Sequence, residues 1–469
     1  MQNPKEQQET FVEQAPTMLA ASTAKTQTPT RTRWLILAML FAVTTINYAD
    51  RATISIAGPE IKRELGLSAV QMGYVFSAFA WSYVLAQLPG GWLLDRFGSK
   101  ITYFFSIFLW SLFTFFTGAV GFFAGGAAVA MLFALRLAVG AAEAPSFPGN
   151  SRIASSWFPT HERGRAAAIF NSAQYFATVL FAPLMGWLVH AHGWPSVFYV
   201  MGALGILVSF VWLKTIYGPK QHPNVSAGEL QYIQEGGALV DLEGARHDAC
   251  TAQAKPVNTL ACIRELLGNR MLFGIYLGQY CITTLTYFFL TWFPVYLVQE
   301  RGMTILKAGF VASLPAIAGF VGGIVGGWMS DRLSKAGYSL SVSRKAPIVL
   351  GMLLSMSMIA CNYIETDMLV VAVMSLAFFG KGIGALGWAV VSDTSPKEAG
   401  GLSGALFNTF GNTAGITTPI VIGYIVQATG SFAGALVFVG ANAAVAIACY
   451  LFIVGDIGRV TLVKSLASR

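Results

Sequence analysis

Residues Trp34 to Ala57 read WLILAMLFAVTTINYADRATISIA. A helix needs about 20 apolar residues to cross the hydrocarbon core of a bilayer, and this run is long enough. It carries Asp50 and Arg51 side by side in its second half. An ionisable side chain at bilayer depth costs about 2.5 to 3.5 kcal/mol on insertion scales, so such residues are kept mostly where they face a protein interior or a water-filled path. At the membrane edge the same two could snorkel to water or simply pair with each other. At depth they make a site: a carboxylate that can take a proton beside a guanidinium that can hold an anion.

The rest of the chain fits a membrane setting. Of its 469 residues, 55% are hydrophobic and only 11% charged, whereas charged residues approach a quarter of a globular chain. Twelve apolar runs leave short loops and no room for a sizeable soluble domain, so an enzyme on a membrane anchor is excluded. The net charge of +8 comes from basic residues scattered through loops on one side, which is topology and not a nucleic-acid surface. The five cysteines, Cys250, Cys262, Cys281, Cys361 and Cys449, are odd in number and dispersed, against a disulfide framework. His247, Cys250 and Cys262 form no CxxC pair, so zinc is not expected.

A second span, Met72 to Leu94, closes on Gly90-Gly91-Trp92-Leu93-Leu94-Asp95-Arg96-Phe97-Gly98-Ser99-Lys100. This stretch resembles the loop between helices two and three of the major facilitator superfamily. Gly326-Gly327-Trp328-Met329-Ser330-Asp331-Arg332 repeats it 236 positions on, and Gly309 and Ser313 repeat Gly73 and Ser77 at that offset. Asn171, Gly186 and Gly193 recur as Asn408, Gly423 and Gly430, 237 positions on. Parallel repeats place similar halves around a central site. The expected fold is therefore an all-α integral membrane protein of the major facilitator type, with twelve transmembrane helices in two pseudo-symmetric six-helix halves. The expected divisions are a disordered cytoplasmic tail over 1–33, bundles over 34–218 and 269–456, a linker over 219–268 and a tail over 457–469. In the linker, Ser226-Ala227-Gly228-Glu229 has the pattern of a capping box opening a short amphipathic helix with Leu230 and Ile233 on one face.

Lys and Arg concentrate in the loops of one side, which sets the orientation: Arg96, Lys100, Arg152, Arg163, Arg332 and Arg344 among them, against Lys62, Arg63, Arg301 and Lys307 on the other. Both termini are expected in the cytoplasm of a bacterial-type inner membrane. In helix four, Arg136 and Glu143 are seven residues apart, two turns or about 10.5 Å, and so project from one face; Ala144-Pro145 should break the helix beyond them. Asn171, Gln174 and Thr178 make a polar stripe on helix five, and Asn408 and Asn412 a similar pair on helix eleven. Gly319, Gly323 and Gly327 read as a packing ridge. Lys381 lies inside helix ten with Trp388 seven residues on, on the same face. The Gly380-Lys381 pair lacks the rest of a phosphate-binding loop, so ATP drive is unsupported.

Tyr48-Ala49-Asp50-Arg51-Ala52, Glu143-Ala144-Pro145-Ser146-Phe147-Pro148 and Ser156-Trp157-Phe158-Pro159 resemble the anion:cation symporter family of the superfamily. Phe147-Pro148-Gly149-Asn150-Ser151-Arg152 and Gly380-Lys381-Gly382-Ile383-Gly384-Ala385-Leu386-Gly387-Trp388 resemble its bacterial D-glucarate and galactarate permeases, relatives of the D-galactonate transporter. The resemblance implies proton-coupling acids at Asp50 and Glu143, a substrate-carboxylate ligand at Arg51, and sugar contacts at Tyr48, Tyr83, Gln174, Trp388 and Asn408. Lys381 departs from the galactonate transporter, and would supply a second cation. Asp95, Arg96, Arg136, Asp331 and Arg332 take structural or gating roles. It implies a monomeric proton symporter that imports sugar diacids by alternating access, with a sugar-acid anion and the lipid bilayer as partners, no nucleic acid and no cofactor beyond protons. Galactonate or hexuronate as substrate, sodium as coupling ion, and a drug/proton antiporter are the alternatives.

Overall fold

The computed structural model describes residues 30–123, 125–242, 259–396 and 399–461. Among them, eleven helices are long and apolar enough to cross a membrane: α1 (Thr32–Glu64), α2 (Ala69–Phe97), α3 (Ser99–Phe122), α4 (Gly125–Trp157), α5 (Thr160–His192), α6 (Trp194–Thr215), α7 (Arg270–Gln299), α8 (Ile305–Lys335), α9 (Leu340–Tyr363), α10 (Asp367–Thr394) and, last in the chain, α12 (Ala433–Ile453). Between these last two runs α11 (Gly400–Thr429), 30 residues long. It is less apolar because Asn408, Thr409, Asn412, Thr413, Thr417 and Thr418 lie along it. No strand occurs among the described residues.

Helix boundaries follow local chemistry. α1 does not stop near Ala57 as its apolar run suggests; it continues through Pro59 to Glu64, so Lys62 and Arg63 sit in its last turn and not in a loop. A proline ring removes one amide and clashes one turn back, a cost that packing around the buried Gly58 and Pro59 offsets. α2 opens on a reciprocal cap, Gln71 N to Ser68 Oγ at 3.1 Å and Ser68 N to Gln71 Oε1 at 2.8 Å. Regular helix in α4 ends at Glu143 and resumes at Ser146. α10 also breaks: its first piece ends at Ile383 and its second begins at Gly387. The interruption removes the shared face expected for Lys381 and Trp388.

The repeated glycines are where the two halves touch. A methyl group on Gly73 of α2 would lie 2.6 Å from the Pro419 carbonyl oxygen of α11, and one on Gly423 of α11 would lie 2.7 Å from the Ala69 carbonyl of α2. The pseudo-symmetric pair repeats this. Gly309 of α8 faces the Ala182 carbonyl of α5 at 2.8 Å, and Gly186 of α5 faces the Ile305 carbonyl of α8 at 3.1 Å. Small residues let helix backbones approach this closely in a membrane, where water does not drive association. The ridge expected on α8 is displaced: Gly319, Gly322 and Gly326 pack against neighbouring helices, whereas Gly323 and Gly327 meet open space.

These four contacts lie toward the face opposite that carrying the start of α1 and the end of α12, here called the terminal face. The Lys62 to Gln299 hydrogen bond (3.1 Å), Val70 N to Gln427 Oε1 (3.1 Å) and the Tyr74–Tyr424 hydroxyl pair (3.4 Å) also join the halves there. On the terminal side, the only hydrogen bond or ion pair between described residues that joins the halves is Asn408 Nδ2 to Gln87 Oε1, 3.1 Å. Charges near that face pair within a half, Asp95 with Arg152 at 2.5 Å and Asp393 with Arg344 at 2.8 Å. Arg96 lies over Trp92 and Arg332 over Trp328, the same contact in both repeats. Asp331 is exposed and forms no ion pair among the described residues.

The linker contains the helix Ala227–Glu235, capped by Ser226 Oγ accepting from Glu229 N at 3.2 Å. The reciprocal half of the expected capping box is absent. The Glu229 carboxylate turns instead to the first turn of α1, accepting from Thr32 N at 3.0 Å, Arg33 N at 3.1 Å and Thr30 Oγ1 at 2.6 Å. Free amides at a helix start attract an anion, and those of α1 outcompete the single amide of Ser226. A second linker helix, Thr259–Gly268, went unread in the sequence. His247 and Cys250 lie outside the described residues, as do 1–29 and 462–469.

Candidate functional site

Arg51 is turned away from its sequence neighbour. Its Nε donates to Glu143 Oε2 of α4 at 2.7 Å, with both side chains buried. The guanidinium carbon lies 4.9 Å from the Tyr48 ring centroid, 4.6 Å from Phe79 and 4.9 Å from Tyr83. Aromatic faces attract a desolvated guanidinium, so three rings and one carboxylate fix its position. Its Nη2 has no partner among the described residues, which leaves donor capacity for an anion. Glu143 Oε1 is likewise unused.

Asp50 is fully buried and neither carboxyl oxygen makes a hydrogen bond among the described residues. It faces Glu143 and Arg136 of α4 and Trp110 of α3. Arg136 is 4% exposed and lies 5.4 Å from the Phe79 ring. The two acids and two arginines thus form one charge cluster inside the N-terminal half.

Between the halves lies a cavity lined by α1, α5, α7, α8 and α10. Of the residues expected in a binding site, Tyr48, Gln174 and Lys381 line it, whereas Arg51, Tyr83, Trp388 and Asn408 do not. Lys381 is 7% exposed, with its ammonium 5.2 Å from the Phe378 ring and 5.9 Å from Tyr175, which belongs to the other half. It pairs with no carboxylate among the described residues; Asp393 is taken by Arg344. Trp388 is absent from the cavity wall and stacks edge-on against Phe407 at 5.0 Å. Asn171 is exposed and also absent from it, while Thr178 of the same stripe lines the cavity.

Asn408 takes part in a chain that crosses between the halves. Tyr287 Oη donates to Asn412 Oδ1 at 3.1 Å, Asn412 Nδ2 to Asn408 Oδ1 at 3.1 Å, and Asn408 Nδ2 to Gln87 Oε1. Tyr287 stands near enough to feel the charge of Arg51 and the rings of Tyr48 and Tyr83, and Gly415 leaves room for its phenol. Tyr287, Tyr175 and Gln87 were missed in the sequence, because an aromatic or amide within an apolar run looks like core. The readable signal was spacing: Gln279, Thr283, Thr286 and Tyr287 recur on one side of α7. No group of three or more His, Cys, Asp or Glu that could hold a metal occurs among the described residues.

Residues 40–342 match the Major Facilitator Superfamily. The chain belongs to that superfamily. Its curated relatives are transporters. The "Probable galactarate/D-glucarate transporter" of Bacillus subtilis (strain 168) is 65% identical over 435 residues, 93% of this chain and 94% of that protein. One of the same name from Escherichia coli is 59% identical over 445 residues, 95% and 98%. A D-galactonate transporter of Escherichia coli is 43% identical over 432 residues, 92% and 98%. Among solved structures, a bacterial homolog of the human lysosomal transporter Spinster, inward-facing and unoccupied, superposes with a TM-score of 0.67 at 17% identity, covering 91% of this chain and 96% of that one. A D-xylose–proton symporter gives 0.67 at 14% identity, 92% and 99%. The superfamily match and the eleven long apolar helices among the described residues make this a multi-pass membrane protein.

Proposed function

We propose that this protein imports a six-carbon sugar diacid, D-glucarate or galactarate, with protons, by rocking its two halves around the central cavity. The observation that carries the reading is a pair of buried cations in opposite halves: Lys381 on the cavity wall, without a carboxylate partner among the described residues, and Arg51 beside Tyr48 of that wall, with an Nη2 that has no partner among them. Lys381 has no carboxylate partner among the described residues, and Arg51 gains a vacancy for one when Glu143 is neutral; an open six-carbon chain spans about 6 to 7.5 Å between its ends, and we assign one of its carboxylates to each cation. Tyr48, Gln174, Tyr287 and Asn408 offer hydroxyl and amide groups to the sugar chain between. The names of the relatives support the same substrate class.

The basic terminal face is the cytoplasmic one by the charge rule, and the halves meet at the opposite face, so this form faces inward. Here Arg51 is held by Glu143. Protonating Glu143 neutralises its carboxylate and frees the guanidinium for substrate; losing the proton to the cytoplasm restores the ion pair and expels the anion. Coupling of this kind requires that the proton change the affinity for substrate. Asp50 is the second proton carrier. Labelled D-glucarate uptake into proteoliposomes tests the reading: accumulation should follow an imposed proton gradient and ignore a sodium gradient at fixed pH. Accumulation driven by sodium alone would replace the proton with sodium.

A further inference from the structure

The inward side of α3 is polar along its length. Near the terminal face its hydroxyls are all used: Tyr103 Oη donates to Asn150 at 3.0 Å and Ser106 Oγ to the Ala142 carbonyl at 2.5 Å. Beyond them the pattern changes. Trp110 Nε1, Ser111 Oγ and Thr114 Oγ1 are buried and have no partner among the described residues. Asn47, one turn before Asp50 on α1, leaves both amide atoms unused, as do both oxygens of Asp50 and Oε1 of Glu143. The Trp110 N–H faces the Asp50 carboxyl, and the Asn47 amide faces Glu143, without either closing a hydrogen bond of normal geometry.

Protein interiors leave few buried polar groups unpaired, and where several converge ordered water satisfies them. Resting on the proton-symport reading above, we infer that these groups hold a short water chain joining Asp50 to Glu143, with Trp110 and Asn47 as its positioning residues. Both acids are fully buried, so neither meets the substrate cavity directly. The proton on Asp50 passes to a water held at Trp110, and that water releases one of its own toward Glu143 Oε1. Asp50 ends ionised, Glu143 ends neutral, and the hydrogen bond from Arg51 to Glu143 Oε2 loses its charge assistance. Proton transfer and release of the substrate-binding guanidinium become one event inside the N-terminal half. The charged groups facing Asp50 are Glu143 and Arg136, both from α4; Arg51, next along α1, is turned toward Glu143.

Trp110→Phe removes the indole N–H and keeps a ring against Tyr103, its neighbour at 6.4 Å. In the proposed chain the indole N–H anchors the water that donates to the Asp50 carboxylate; a donated hydrogen bond favours the ionised form, so loss of the anchor favours the protonated one. The test uses full-length protein and two readouts. One is the pH profile of D-glucarate counterflow in proteoliposomes; the other is the infrared band of protonated carboxyl groups, with the Asp50 component identified by its loss in Asp50→Asn. We expect both midpoints to move up by about one pH unit, a tenfold change in proton affinity, with substrate affinity at low pH within about twofold of the parent. The infrared titration needs no transport, so it reads the variant even if counterflow is lost. An unmoved infrared midpoint would overturn the relay while leaving proton symport standing. Counterflow in the parent protein that ignores pH would overturn symport, and the relay with it.

Discussion

Adjacent residues on an α-helix point about 100° apart, and that angle decides what Asp50 and Arg51 each do. Arg51 meets Glu143, 92 positions away, and the rings of Tyr48, Phe79 and Tyr83; Asp50 faces Arg136 and Trp110. The two charged positions were legible in the sequence, and so was Glu143 on its face with Arg136. Their partnership was not, because sequence adjacency suggests the wrong pair and only the packing of α1 on α4 reveals the other. Replacing Arg51 with Lys keeps the charge but gives up the planar fork that can bind a carboxylate with two parallel hydrogen bonds. Hydrogen bonds to charged groups are worth about 1.5 to 3 kcal/mol, so calorimetry should show D-glucarate binding weakened roughly tenfold or more; unchanged affinity would make Arg51 structural. Glu143→Gln imitates the protonated acid. Its D-glucarate affinity should lose its dependence on pH while gradient-driven accumulation is lost, and accumulation at the parental level would remove Glu143 from the coupling.

At the scale of elements, the glycine seam packs the two halves together at the face opposite the terminal one. Adding a methyl group at Gly73 or Gly309 forces it against a carbonyl oxygen at 2.6 or 2.8 Å, and overpacking of this kind costs about 1 to 3 kcal/mol. That penalty falls only on the form closed at this face. Gly73→Ala should therefore shift the population toward the outward-facing form, read as a longer spin-label distance between the outer ends of α2 and α11; an unchanged distance distribution would show that the seam yields without opening. The linker latch is a second element-level device. Removing the Glu229 carboxylate with Ala leaves the first amides of α1 uncapped, a loss of about 0.5 to 2 kcal/mol, and should speed hydrogen exchange in the Ala227–Glu235 helix and the first turn of α1 relative to the rest of the bundle. The helical repeat exposed the seam glycines in the sequence because their spacing is identical in both halves. The break at Gly384 to Leu386 was hidden, since glycines inside an apolar run are equally compatible with a continuous packed helix.

For the whole molecule, long apolar runs and a repeat at 236 to 237 positions were enough to read two six-helix halves, because a bilayer leaves the backbone few ways to cross it. The conformation was not readable: each face carries its own motif repeated in both halves, Gly73 and Gly309 on one, Asp95-Arg96 and Asp331-Arg332 on the other, and closure at one of them is a balance of small contact energies. In the proposed cycle one diacid bridges the halves, its ends held by Arg51 and Lys381, so that binding favours closure of the terminal face around it. The most direct measurement compares uptake of D-glucarate with that of a monocarboxylate sugar acid such as D-galactonate, in the parent protein and in Lys381→Asn, at one pH and one proton gradient. Losing the second cation leaves one glucarate carboxylate desolvated without a partner, whereas galactonate has no second carboxylate to strand. D-glucarate uptake should fall at least roughly tenfold more than D-galactonate uptake, the factor that about 1.4 kcal/mol of selective loss would produce. Equal losses for the two substrates, or no loss for either, would contradict it.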